Sequence, residues 1–113
     1  MISIKVFVTP EGNILGFELF GHSGYEEVGK DIVCAAVSSV LYMVVNTLSD
    51  VLNVNFEVLT MDNKDAYFKF IINNKDFYIC KFFMIGLKNH FLNLEEQYYK
   101  NIKVSYVEVQ NND

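Results

Sequence analysis

The sequence predicts an α+β fold: one domain over residues 1–113, elements in the order ββαββαβ, and a largely antiparallel sheet packed with two helices. Three observations predict it. Short runs of alternating apolar residues recur as strand signals, two longer runs carry apolar residues at helical spacing, and turn-forming clusters separate them. With 113 residues, 51% of them hydrophobic and 20% charged, the chain is large and apolar enough to bury one core of its own.

Residues 2–8 alternate Ile2, Ile4, Val6 and Val8 with Ser3, Lys5 and Phe7, and Leu15, Phe17 and Leu19 alternate with Gly16 and Glu18. Pro10-Glu11-Gly12-Asn13 lies between, so these runs read as an antiparallel hairpin. Three glycines and two adjacent glutamates make residues 21–30 a loop. Asp31 is a good helix N-cap, and from Ile32 to about Leu52 apolar residues recur at Val33, Val37, Leu41, Val44, Leu48 and Val51. More apolar residues fill the gaps, which predicts a helix nearly surrounded by protein. Residues 54–59 and 66–72, separated by 61–65, read as a second hairpin. A second, amphipathic helix is expected from Asp76 to about Leu94, with Phe77, Ile79, Cys80, Phe83, Met84, Leu87, Phe91 and Leu94 opposite Lys81, Lys88 and Asn89. Ile102, Val104 and Tyr106 begin a last strand whose apolar phase slips to Val107 and Val109, and the tail after Gln110 should fray.

Charge and composition exclude several functions. Every cation is a lysine and the formal net charge is -5, so direct nucleic-acid binding is not expected: the forked guanidinium contacts that serve phosphates and base edges are missing. No basic region precedes an apolar run at the N-terminus, and the apolar run from Ile32 is interrupted by Ser38, Ser39 and Tyr42. It falls short of the roughly 18 apolar residues of a membrane span, so neither a signal peptide nor a membrane partner is expected. Two cysteines in so apolar a chain read as thiols of a reducing, cytoplasmic compartment. Two cysteines and two histidines never fall at paired ligand spacings, so no metal and no cofactor is expected. The stretch Gly24 to Lys30 imitates the start of a phosphate-binding loop, but Glu26, Glu27 and Asp31 would put negative charge inside the cradle.

The informative stretch runs from Gly21 to Ser39, because it sets a histidine, a glycine-rich loop, a helix cap and a cysteine in that order. A cysteine thiol, with an ordinary pKa of roughly 8.5, must lose its proton to attack an acyl carbon. With Asp31 as N-cap, Cys34 falls in the first helical turn, where backbone N–H groups and the helix dipole favour an anion and can hold an oxyanion. His22 would take the thiol proton and return it to the leaving amine, provided the loop folds back. Gly21, Gly24 and Gly29 permit that path. Asp31 would raise the thiol pKa unless it caps the helix, the preferred role, or orients His22 as a third member of the site. Ser38, one turn after Cys34, either hydrogen-bonds the nucleophile or bonds back to the helix backbone. Tyr25 is a candidate cover for bound substrate.

Each of these residues has a plainer reading. On spacing alone, a cysteine in a helix is a small buried apolar side chain, which holds firmly for Cys80 among Phe77, Tyr78, Phe83 and Met84. His22 alone reads as a turn cap, and His90 beside Asn89 as a surface residue. A redox pair is disfavoured because Cys34 and Cys80 fall in different helices.

The string Gly21-His22-Ser23-Gly24-Tyr25, followed by Gly29-Lys30-Asp31-Ile32-Val33-Cys34-Ala35-Ala36-Val37-Ser38, closely resembles the ribosomal-processing cysteine protease family, Prp. A weaker similarity extends through Ile85-Gly86-Leu87 and Gln97-Tyr98 into Ile102-Lys103-Val104. The family often carries Tyr-Pro before the last strand, whereas Tyr99 follows Tyr98 here. The resemblance implies an endopeptidase with Cys34 as nucleophile and His22 as general acid/base. It also implies a partner, the precursor of a large-subunit ribosomal protein, from which a short N-terminal extension is cut after an apolar or aromatic residue so that the mature tail reaches the peptidyl-transferase region. Homodimers and a mobile loop between the two catalytic residues are further family traits. The alternative is a non-catalytic module that binds a ribosomal protein during assembly.

Overall fold

The computed structural model describes residues 1–21, 32–61 and 66–110. The expected loop from His22 to Lys30, the cap Asp31, residues 62–65 of the second turn and the last three residues of the tail lie outside the described residues. The elements are β1 (Ile2–Val8), β2 (Ile14–Phe20), α1 (Ile32–Asn46), β3 (Glu57–Met61), β4 (Tyr67–Ile71), α2 (Phe77–Gln97) and β5 (Ile102–Glu108). This is the expected ββαββαβ order. The five strands form one sheet in the order β3-β4-β2-β1-β5. Three pairings are antiparallel and only β5 runs parallel to its neighbour β1.

Strand alternation sorts the sheet into two faces. Ile4 lies opposite Leu19, and Val6 opposite Phe17, which in turn faces Phe70 of β4. With Ile102 and Val104 these side chains make a buried apolar surface that both helices cover. Phe91 of α2 meets Phe17 edge-on at 5.7 Å, and Tyr42 of α1 meets Phe68 at 5.8 Å. Lys5, Glu18 and Lys69 share the opposite face. No described element covers that face.

Several boundaries and faces differ from expectation. Regular α-helix stops at Asn46, and Thr47–Val51 continue as a π-helical turn. The Thr47 hydroxyl donates to the Met43 carbonyl at 2.7 Å, and Leu52 N–H bonds five residues back to Thr47, which widens the turn. The chain then reverses at Asn53, whose φ of 56° suits asparagine. α1 is not surrounded: Val33, Val37, Leu41, Val44 and Val45 are buried, whereas Ile32, Tyr42 and Met43 are exposed, as is Val51 in the turn that follows. In a two-layer fold a covering helix keeps one face on which no described element packs. By length and composition Ile32–Val51 also passes for a membrane-crossing helix, contrary to the sequence reading, although its apolar stripe packs on the sheet.

β3 starts at Glu57 rather than residue 54, because its extent is set by pairing with β4; Val54 and Phe56 pack beneath as connecting chain. α2 buries Phe77, Cys80, Met84, Leu87, Phe91 and Leu94, but Ile79 and Phe83, expected inside, lie exposed. The link to β5 closes without a proline: Asn101 and Ile102 N–H groups both donate to the Tyr98 carbonyl, at 2.8 and 3.1 Å. Glu95 Oε2 accepts from Val104 N–H at 2.7 Å and ties the end of α2 to β5.

Candidate active site

The antiparallel register gathers three chain segments at one end of the sheet. Phe20, last in β2, lies opposite Ser3 of β1 and Tyr67 of β4. The next residue, Gly21, donates its N–H to the Ala66 carbonyl at 2.9 Å. Its φ is +95°, and a Cβ there would lie 2.6 Å from the Met1 carbonyl oxygen, so neither backbone angle nor space admits a side chain. The chain leaves toward His22 from this fixed point.

α1 supplies the other half of the site. Val33 and Val37 are buried against the sheet and hold the start of the helix, which leaves Cys34 between them partly exposed. Cys34 is the third residue of α1, so the expected placement in the first turn holds. It opens onto a cavity of about 350 Å³ lined from β2 by Leu19, Phe20 and Gly21, from α1 by Cys34, Ser38 and Tyr42, and from β4 by Tyr67 and Phe68. None of the described residues that line it is charged. The Tyr67 hydroxyl reaches away to donate to Glu18 Oε2 at 2.6 Å, and Lys5 Nζ stands 3.6 Å from Oε1 of the same carboxylate. That hydrogen bond, followed by burial and by the negative charge of Glu18, raises the Tyr67 pKa above its ordinary value of 10.0. Tyr67 therefore keeps a neutral phenol on the face of the sheet that carries Glu18, with its polar tip anchored there.

Of the site residues expected from sequence, Gly21, Cys34 and Ser38 come together on this cavity. His22, Gly24, Tyr25, Gly29 and Asp31 lie outside the described residues. Cys80 is wholly buried in α2, and burial, with a smaller contribution from Asp76, pushes its thiol up to about 11. It is a core side chain, and His90 is exposed, as the plainer readings expected. The aromatic lining was missed. Tyr42 was legible, since it follows Cys34 and Ser38 at successive four-residue steps; Phe20, Tyr67 and Phe68 join only through strand pairing.

Chemically, this is a thiol at the head of a helix beside a hollow whose described lining is uncharged and largely apolar. The hollow can hold an apolar side chain while backbone N–H groups of the first turn face a developing negative charge.

Residues 1–103 match the family model described as cysteine protease Prp. The chain belongs to the cysteine protease Prp family. As a Prp-family member it is a cysteine protease. It is 28% identical over 109 residues, 94% of this chain and 99% of the relative, to the ribosomal processing cysteine protease Prp of Staphylococcus aureus (strain Mu50 / ATCC 700699). The Prp of Bacillus subtilis (strain 168) is 34% identical over 73 residues, which cover 62% of this chain and 63% of that one. The fold is similar to the crystal structure of the essential ribosomal processing protease Prp from S. aureus in complex with a covalently linked product peptide: TM-score 0.86 and 26% identity, covering 95% of this chain and all of the other.

Proposed function

We propose that this Prp-family protease is a cytoplasmic endopeptidase that removes a short N-terminal extension from a large-subunit ribosomal protein, with Cys34 as nucleophile and His22 as general acid/base. The observation that carries the reading is Cys34 in the first turn of α1, open to a cavity with no charged residue in its described lining. The Staphylococcus and Bacillus relatives are named as ribosomal processing proteases, which supports the substrate class. Both cysteines are thiols, in keeping with a reducing compartment.

In this mechanism His22 takes the proton of the Cys34 thiol, and the thiolate sulfur attacks the scissile carbonyl carbon. The carbonyl oxygen becomes an oxyanion facing the N–H groups at the head of α1. Collapse breaks the C–N bond, and the leaving amine receives the proton from His22. Water, deprotonated by His22, then attacks the thioester carbon, the C–S bond breaks to release the carboxyl product, and His22 returns the proton to the sulfur. Asp31 serves as the cap of α1 or as the group that orients His22, and Ser38 stands beside the nucleophile. Gly24, Tyr25 and Gly29 belong to the loop that joins base to nucleophile.

The protease acts as a homodimer in this reading. Support comes from the outer side of α2, where Tyr78 is 83% and Phe82 80% exposed, an unusual concentration of apolar surface for an isolated chain.

Incubation with an extended ribosomal-protein precursor, followed by mass measurement, tests the activity and locates the cut. Wild type should shorten the precursor, while Cys34→Ala and His22→Ala should each lose activity by at least about 10³-fold, the double variant losing little more. Equal cleavage by wild type and Cys34→Ala would end the reading. Stoichiometric binding without shortening would favour the non-catalytic assembly module instead.

A further inference from the structure

The cavity extends well past the reacting sulfur. Cys34, Ser38 and Tyr42 all line it and recur at four-residue steps on α1, so they form one stripe along the helix. At a rise of 1.5 Å per residue, Tyr42 stands roughly 12 Å along the axis from Cys34. Its ring meets Phe68 edge-on at 5.8 Å, with the planes 88° apart. Phe68 is buried within β4, whereas Tyr42 is 51% exposed. One ring is thus fixed by the sheet and props the second, whose free surface borders the cavity. A side chain laid against that surface would gain burial and aromatic contact. A charged one would be desolvated beside a lining in which no described residue offers a counter-charge.

We propose that Tyr42, backed by Phe68, is a remote specificity subsite that takes an apolar side chain of the substrate about three to four residues from the scissile bond. The spacing follows from the reach of an extended peptide, roughly 3.3 Å per residue, over the distance from Cys34 to Tyr42. The inference rests on the proteolytic reading of Cys34 and adds to it a second point of selection, separate from the residue at the cut. An exposed ring held edge-on by a buried partner is pre-ordered for such a contact, so little side-chain freedom is lost on binding.

The test uses two internally quenched peptides spanning the junction of the extended ribosomal protein, one running about five residues to either side of the cut and one about two. On the long peptide, Tyr42→Ala should lower kcat/KM about tenfold while Tyr42→Phe stays near wild type. On the short peptide all three proteins should be alike. An alanine scan of the long peptide should reveal one apolar position, three or four residues from the cut, whose loss costs wild type about tenfold and costs Tyr42→Ala nothing. Unchanged cleavage of the long peptide by Tyr42→Ala, or an equal loss on both peptides, overturns the subsite while leaving the protease intact. A wild type that cleaves neither peptide brings down the proteolytic reading and the subsite with it. If wild type cuts only the long peptide, the coupling in the alanine scan decides alone.

Discussion

The two cysteines show how one residue type takes two roles through its surroundings. Cys34 lies at the head of α1 between two buried valines and opens onto the cavity; Cys80 has no exposed surface and packs in the core. That division was legible in sequence, because Cys80 sits on the buried stripe of an amphipathic pattern, whereas Cys34 follows a glycine-rich stretch and an aspartate of the type that caps helices. The contribution of Tyr67 was not legible, since its anchor, Glu18, lies 49 residues away in sequence. The burial of Cys80 has a consequence for stability. Its thiol pKa is pushed up to about 11, so the folded protein holds that proton more tightly than the unfolded chain does. The resulting stabilisation is fully present below about pH 9 and is lost as pH rises through about 11. Urea unfolding followed from pH 8 to pH 11 should therefore show a falling midpoint, and Cys80→Ala should fall less steeply over the same range. The variant should also be less stable at neutral pH by about 1 kcal/mol, from lost core burial. Parallel curves for the two proteins would show that Cys80 does not carry the alkaline loss.

Among the elements, those specified by local pattern were readable and those specified by distant pairing were not. The β1–β2 hairpin follows from alternation on either side of a turn cluster, and both helices follow from their spacing. The parallel contact of β5 with β1 joins Ile2 to Ile102, and no short-range signal announces it. The outward positions of Ile79 and Phe83 were likewise hidden, since an apolar residue at a helical boundary fits either face. Gly16 tests the sheet at this scale. It is buried in β2 opposite Ile71 of β4, and a Cβ there would run into the Phe70 carbonyl and come within 2.9 Å of the Ile71 Cα. The obstacle is backbone, which cannot rotate away as a side chain does. Gly16→Ala must push β4 from β2, so a destabilisation of about 3 kcal/mol or more is expected, in the range of severe core changes. Chemical denaturation measures the loss, and amide exchange should show protection falling first in β3 and β4 while α2 keeps its own. A variant with wild-type stability would mean that the two strands separate at little cost.

Taken as a whole, the molecule is a sheet with both helices on one side, and that arrangement decides where apolar surface remains. The helices satisfy the sheet with their inner stripes, so apolar residues on their outer sides have no other described element to pack against. On α2 this leaves Tyr78 and Phe82, four residues apart and both more than three-quarters exposed, beside Ile79 and Phe83. A second copy related by a two-fold axis would bring the same helix face against itself, the simplest self-complementary arrangement. Phe82→Asp should then set two carboxylates near each other in a contact that excludes water, while costing the single chain almost nothing at so exposed a position. Sedimentation should give wild type a mass twice the 13.0 kDa of the chain, and give the variant 13.0 kDa with an unchanged circular-dichroism spectrum. A wild type at 13.0 kDa removes the homodimer, and a variant that stays dimeric moves the contact off α2. The described lining of the cavity comes from α1 and the sheet rather than from α2. A monomeric Phe82→Asp protein should therefore still shorten the precursor, because a loss of dimer and a loss of cleavage are separate events in this fold.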